Sequence, residues 1–157
     1  MLHRLLALRP LLFHACVPSD FESIRRDRAI RASVADAQGV VPGGVAHAPH
    51  EAVDRAASHV QFWPGSLQGP ISGGRERIER LRRPEGLRLL RAHFTAVLQR
   101  NPARECHVAF AAGASLQSIH AGRWNAADVQ EVAFTGFVDL PLDTLWADTL
   151  EGPWRPL

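Results

Sequence analysis

The sequence predicts an α+β domain, and three observations carry that reading. An apolar run near the start is followed at once by a short helical segment. The last third alternates like β-strands closed by glycine and proline turns. Between them, strand-like and helix-like segments do not repeat as regular βαβ units. The chain has 157 residues, one domain's worth spanning 1–157, and a chain of this size buries about 68–70% of its unfolded surface without needing disulfides or metals.

Taken in order, Leu11-Leu12-Phe13-His14-Ala15-Cys16 is a short apolar run before Pro18 and reads as a buried strand. Ser19 or Asp20 then caps a helix with Phe21, Ile24 and Arg28 on one side, and Ala29-Ile30 opens a second brief strand. Residues 35–49, rich in glycine and proline, read as a loop, and Pro49 starts a two-turn helix over residues 50–58. Residues 59–63 form a strand ending at Pro64-Gly65, and residues 64–74 form a long loop of the functional kind. A basic helical stretch, 75–83, stops at Pro84. Leu87, Leu90, Phe94, Val97 and Leu98 give residues 85–100 the strongest helical spacing in the chain, ended by Asn101-Pro102. Strands follow at 106–111, 129–135 and 137–140, and residues 142–150 make a short terminal helix.

Composition narrows the function classes. All eighteen basic residues are arginine and sixteen residues are acidic, so the net charge of +2 does not demand a polyanionic partner, although a pI near 9.0 permits one. Lysine and tyrosine are absent, as in chains from GC-rich coding. Two distant cysteines make neither a disulfide framework nor a zinc motif, and a reducing compartment fits them. The apolar start is broken by Arg9 and Pro10, and no stretch approaches a membrane span. The expectation is a soluble cytoplasmic protein with no membrane partner.

The chain lacks G-x-x-x-x-G-K-[ST], G-x-G-x-x-G and G-x-S-x-G. His47 and His50 with His59 make either a three-imidazole zinc set or loop surface, and we favour the latter, expecting no metal. Cys16 and His14 share a strand face, as a nucleophile pair or as core. Arg75, Arg77, Arg80, Arg82, Arg83, Arg88 and Arg91 form either a phosphate-gripping face or a solvated one with interleaved glutamates. Glu131 stands in an apolar strand with Val129, Val132, Ala133 and Phe134, where a carboxylate is costly unless it faces a cleft, a partner or, on an edge strand, water.

Two segments add a resemblance. Residues 11–15 followed by Phe21-Glu22-Ser23-Ile24 and 25–33 resemble the opening of ADP-ribosyltransferases: a strand ending in histidine, a helix with a serine–isoleucine pair, and a turn into the next strand, with Arg28 where the family has glycine. Residues 130–143 are similar to the family's glutamate strand, 45–55 to the segment ending in its arginine, and 59–66 to its aromatic strand. The likeness is nearest the DarT type, toxins that modify single-stranded DNA. It implies a split β-sandwich with short helices and NAD as substrate. Under it, His14 bonds a ribose hydroxyl, Ser23 joins the NAD site, Phe62 and Trp63 stack on nicotinamide or a base, Arg55 meets the pyrophosphate or orients the acceptor, and Glu131 stabilises the cation formed as nicotinamide leaves. It also implies a nucleic-acid or protein acceptor and an antitoxin partner. The rivals are a non-catalytic nucleic-acid binder using the arginine-rich helix and a transferase scaffold that has lost activity.

Overall fold

Every residue of Leu11–Cys16 except His14 is apolar or small, and this strand, β1, lies inside the sheet with a neighbour on each side. The computed structural model describes residues 1–32, 58–111 and 114–157. β5 (Arg88–His93) pairs with β1 from Leu11↔His93 to Cys16↔Arg88, whereas β3 (His59–Ser66) pairs only from Leu11↔Gly65 to Phe13↔Trp63. The nine-stranded sheet runs β11 (Arg155–Pro156), β10 (Leu145–Ala147), β5, β1, β3, β8 (Glu131–Thr135), β6 (Cys106–Ala109) and β7 (Gln117–Ser118), with β4 (Gly69–Pro70) folded back on β3. All of its pairs are antiparallel. A separate two-stranded sheet joins β2 (Ala29–Arg31) to β9 (Phe137–Asp139).

Alternation along the strands gives the sheet two apolar faces. Leu12, Phe62, Leu90 and Phe134 belong to the larger core, which α1 (Leu2–Leu8), α2 (Pro18–Asp27) and α4 (Phe94–Arg100) cover with Leu5, Phe21, Ile24, Phe94 and Val97. Trp63, Leu87 and Leu89 form a smaller cluster with Ile78 of α3 (Ser72–Leu81). The α+β class is therefore observed, with four α-helices among the described residues. None of these helices is long and apolar enough to cross a membrane.

Several boundaries differ from the expectations. Helix α2 starts at Pro18 with Val17 as N-cap, not Ser19 or Asp20, because the fixed φ of proline suits the first helical position. Residues 85–100 are not one helix: Arg88–His93 is a strand and only Phe94–Arg100 is helical. Leu89 and Leu90 are adjacent and both buried, which a strand covered on two faces accommodates; a short apolar run has no periodicity that decides this, and pairing with β1 and β10 does. Residues 64–74 are not a long loop, since β3 continues to Ser66, turns at Leu67 and Gln68 into β4, and α3 begins at Ser72. The terminal helix over 142–150 is instead strand β10, held against β5. The loop over 35–49 and all but the last residue of the helix over 50–58 fall on residues 33–57, outside the described residues.

One turn carries a positive φ on a side chain. Arg28 ends α2 at φ 51 and ψ 38, the left-handed region that glycine adopts without cost. Its guanidinium donates to the carbonyls of Leu142 (3.2 Å), Pro141 (3.3 Å) and Leu157 (3.4 Å), and its own carbonyl accepts from Leu140 N at 2.9 Å. These bonds hold a conformation that the side chain by itself resists.

Candidate functional site

Strand β3 changes partner halfway along its length. Its first half, His59–Phe62, pairs with Thr135–Val132 of β8, and its second half begins pairing with β1 at Trp63↔Phe13. Neither ladder continues past that point. His14 is the residue after Phe13 and Glu131 is the residue before Val132, so both stand where the sheet parts.

His14 is held by what surrounds it. Its Nδ1–H donates to the Gln61 carbonyl at 2.8 Å, and its ring packs on Phe62 with centroids 5.6 Å apart. Burial pulls its pKa below the ordinary 6.5, outweighing the Gln61 hydrogen bond and the Asp20 charge that act the other way. The imidazole is thus neutral at pH 7, and with the proton on Nδ1 its Nε2 is an acceptor suited to a hydroxyl. It lines a cavity of about 610 Å³ with Ser23, Gln61 and Trp63. Among the described residues, Arg26, Arg31 and Arg77 line this cavity against Asp20 and Asp27, an excess of one positive charge that suits an anionic ligand.

Glu131 is 3% exposed and pairs with Ala109 of β6. Since β8 has β6 on one side and β3 on the other, the edge-strand reading is excluded. Glu131 lines a second cavity of about 240 Å³ with Gln130, Phe110, Gly73, Trp63 and Arg77. Trp63 and Arg77 line both cavities, so the two adjoin across these side chains. Helix α3 approaches this wall closely because it has no Cβ where it meets Trp63: one added at Gly74 would lie 2.7 Å from Trp63 Cβ.

The expected residues are only partly brought together. His14, Ser23 and Trp63 line the large cavity and Glu131 the small one. Phe62 does not reach either; it is 1% exposed, wedged between His14 and Phe134 (ring centroids 5.8 Å apart), and it backs His14 rather than meeting a ligand. Arg55, His47 and His50 lie outside the described residues. His59 lines the large cavity with its ring edge-on to His107 at 5.5 Å. Cys16 also lines the large cavity, but burial pushes its thiol up to about 12 and its Sγ sits 3.7 Å from the Arg88 carbonyl, an environment that disfavours the thiolate a nucleophile needs.

The seven arginines do not form one face. Arg88 and Arg91 are on β5, where Arg88 pairs with Asp148 at 3.0 Å and Arg91 lies 4.5 Å over the Trp154 ring. On α3, Arg75 pairs with Glu151 at 3.5 Å, and beyond its end Arg82 pairs with Glu79 at 3.2 Å. The arginine-track reading therefore loses much of its geometry. Phe110, Arg26 and Arg31 are cavity residues that no sequence motif marks, and Arg77 stands out in the sequence only as one of seven arginines of a candidate phosphate-gripping face; the fold brings all four to the cavities of His14 and Glu131. Comparisons with protein-family models, with curated proteins and with solved structures gave no match.

Proposed function

We propose that this chain is an NAD-dependent ADP-ribosyltransferase of the DarT-like kind, acting on a nucleic acid, with single-stranded DNA the first acceptor to test. The observation that carries the reading is the position of His14 and Glu131 at one parting of the sheet, each in a cavity walled by Trp63 and Arg77. A dinucleotide has two nucleoside halves joined by a diphosphate, and adjoining cavities of unequal size with arginines between and around them suit that shape. The left-handed turn at Arg28, where the family has glycine, is a second support.

The residues then divide the work. Neutral His14 accepts a hydrogen bond from a ribose hydroxyl through Nε2. Trp63 and Phe110 offer the aromatic surfaces that, in a chain without tyrosine, cover nicotinamide. In the reaction the ribose–nitrogen bond breaks and nicotinamide leaves with the bonding pair, so the pyridinium becomes neutral and positive charge moves to the ribose. A carboxylate fixed beside that carbon, Glu131, stabilises the oxocarbenium-like state as in glycoside hydrolysis. The acceptor's nucleophile forms the new bond and releases a proton.

The test is nicotinamide release from NAD by the wild type and Glu131→Ala, with and without single-stranded DNA. Release by the wild type alone, rising with DNA, is expected. Folded wild type that releases none would leave an inactive scaffold or a binding module, and equal release by both proteins would remove Glu131 from the mechanism.

A further inference from the structure

We infer that Arg77 is the clamp for the ligand's diphosphate, at the waist where the two cavities adjoin. The inference deepens the NAD reading and takes the ligand's identity from it, but its geometry stands on α3. Among the described residues only Trp63 and Arg77 line both cavities, and of these only Arg77 is charged. In a dinucleotide the diphosphate lies between the two nucleoside halves, so the negative charge passes the waist wherever each half occupies one cavity.

The helix fixes where Arg77 stands. Gly74 and Ile78 are buried on the side of α3 that meets the sheet, with Ile78 fully covered and Gly74 tight against Trp63. Arg77 follows Gly74 by three residues, so it projects from the same side of the helix, one turn further on. Most arginines near it are engaged elsewhere: Arg75 with Glu151 and with the Gln68 carbonyl at 3.0 Å, Arg82 with Glu79, and Arg83 with the carbonyls of Arg80 and Arg82, while Arg80 lines neither cavity. Arg77 is exposed and makes no such bond to a described residue. Its planar fork therefore has donors to place on two phosphate oxygens at once, which an ammonium cannot match. The resemblance gives this task to Arg55; the cavity walls give it to Arg77.

The experiment measures binding of ADP and of adenosine by calorimetry, and NAD turnover where it occurs, for wild type, Arg77→Ala, Arg77→Lys and the exposed neighbour Arg80→Ala. Circular dichroism and Tm verify folding, which an exposed side chain should not disturb. Arg77→Ala is expected to weaken ADP about 10–100-fold, the loss of a charge-assisted bidentate contact, with adenosine unchanged and Arg80→Ala like the wild type. Arg77→Lys should recover part of the loss. With NAD, KM should rise while kcat moves little. ADP binding that is Arg77-dependent in a protein that never releases nicotinamide would sustain the clamp and end the transferase reading. Turnover with the same KM and ADP affinity in Arg77→Ala would overturn the clamp and leave the transferase reading intact. Wild type that binds no ADP at all would overturn the clamp as well.

Discussion

His14 and Glu131 each stand one residue beyond the last rung joining their strands to β3, on opposite sides of the Phe62–Trp63 bond. A strand that trades one partner for another leaves both neighbours unpaired on the side facing it at the exchange, here with His14 still paired to Leu90 and Glu131 to Ala109 on their other sides, and polar side chains there gain open space that a continuous ladder would deny them. This parting makes room for a half-buried imidazole and a buried carboxylate beside a core that is otherwise mostly apolar. If both act on one ligand, their variants should separate kinetically. Glu131→Gln is expected to lower kcat for nicotinamide release about 10²–10³-fold, the usual cost of losing a transition-state electrostatic contact. His14→Asn should act mainly on KM, by about tenfold, as one hydrogen bond to bound substrate is lost. Steady-state kinetics on the two variants verify this, and equal effects on kcat would contradict the division of roles.

Burial of His14 also sets a pH dependence of stability. Its folded pKa lies below the ordinary 6.5 because desolvation disfavours the cation. Above that value both folded and unfolded states hold it neutral, and it contributes no slope. Below, the unfolded chain takes up a proton that the folded chain resists, so stability falls as pH falls, by up to about 1.4 kcal/mol per pH unit. Melting curves between pH 8 and pH 5 should show the wild type losing more stability than His14→Gln over the acidic half. Parallel curves would mean the imidazole protonates freely in the fold.

Arg28 gives a comparison of two replacements. Arg28→Ala loses the bonds to the carbonyls of Pro141, Leu142 and Leu157 and keeps a side chain in the left-handed region. Arg28→Gly loses the same bonds and relieves the strain. The alanine variant should therefore be the less stable by about 1 kcal/mol, read by urea denaturation. An alanine variant at least as stable as the glycine one would show that this turn is not left-handed.

Much of the sheet could be read from local pattern, and much of the site could not. β1, β6, β8 and β9 were legible because each is a short apolar run closed by a turn residue, and His14 and Glu131 stood out as polar groups within such runs. β5 was not, since Leu87, Leu90, Phe94 and Val97 fit a helical stripe while the neighbouring Leu89 is also fully buried; the strand exists because β1 and β10 offer two open edges. The two tryptophans Trp146 and Trp154 likewise hid β10 and the chain's end, where they stack against Phe21 at 4.9 Å and Phe13 at 6.0 Å. Arg77 read as one arginine among seven because its distinction is three-dimensional: it is the charged residue of α3 that meets both cavities.

The close approach of α3 to Trp63 predicts an unusual glycine effect. In an ordinary helix interior, glycine to alanine gains about 1 kcal/mol. At Gly74 the new Cβ would meet Trp63 Cβ at 2.7 Å and Cγ at 3.0 Å, too near for either to yield without moving the helix or the strand. Gly74→Ala is expected to destabilise by about 1–3 kcal/mol, at about 2–4 °C of Tm for each kcal/mol in a chain of this size. It should also raise KM for NAD, because α3 carries Arg77. A stabilised variant would mean the helix does not press on Trp63.

Both thiols are buried in the fold and should resist alkylation. Burial pushes Cys16 and Cys106 each up to about 12, so almost no thiolate is present at pH 8. An unfolded chain, with thiol pKa near about 8.5, has a sizeable thiolate fraction there, and labelling of the native thiols should be slower by about three orders of magnitude. Iodoacetamide labelling followed by mass spectrometry, native against urea-unfolded, measures the ratio. Cys16→Ser should leave nicotinamide release within about twofold: Cys16 lines the large cavity beside His14, but its protonated thiol rests on the Arg88 carbonyl and a serine hydroxyl of nearly the same size can take that place. Rapid native labelling of Cys16, together with loss of activity in Cys16→Ser, would restore a cysteine–histidine nucleophile on β1 and displace Glu131 from the centre of the chemistry. Slow labelling with activity retained leaves His14 the acceptor of a substrate hydroxyl.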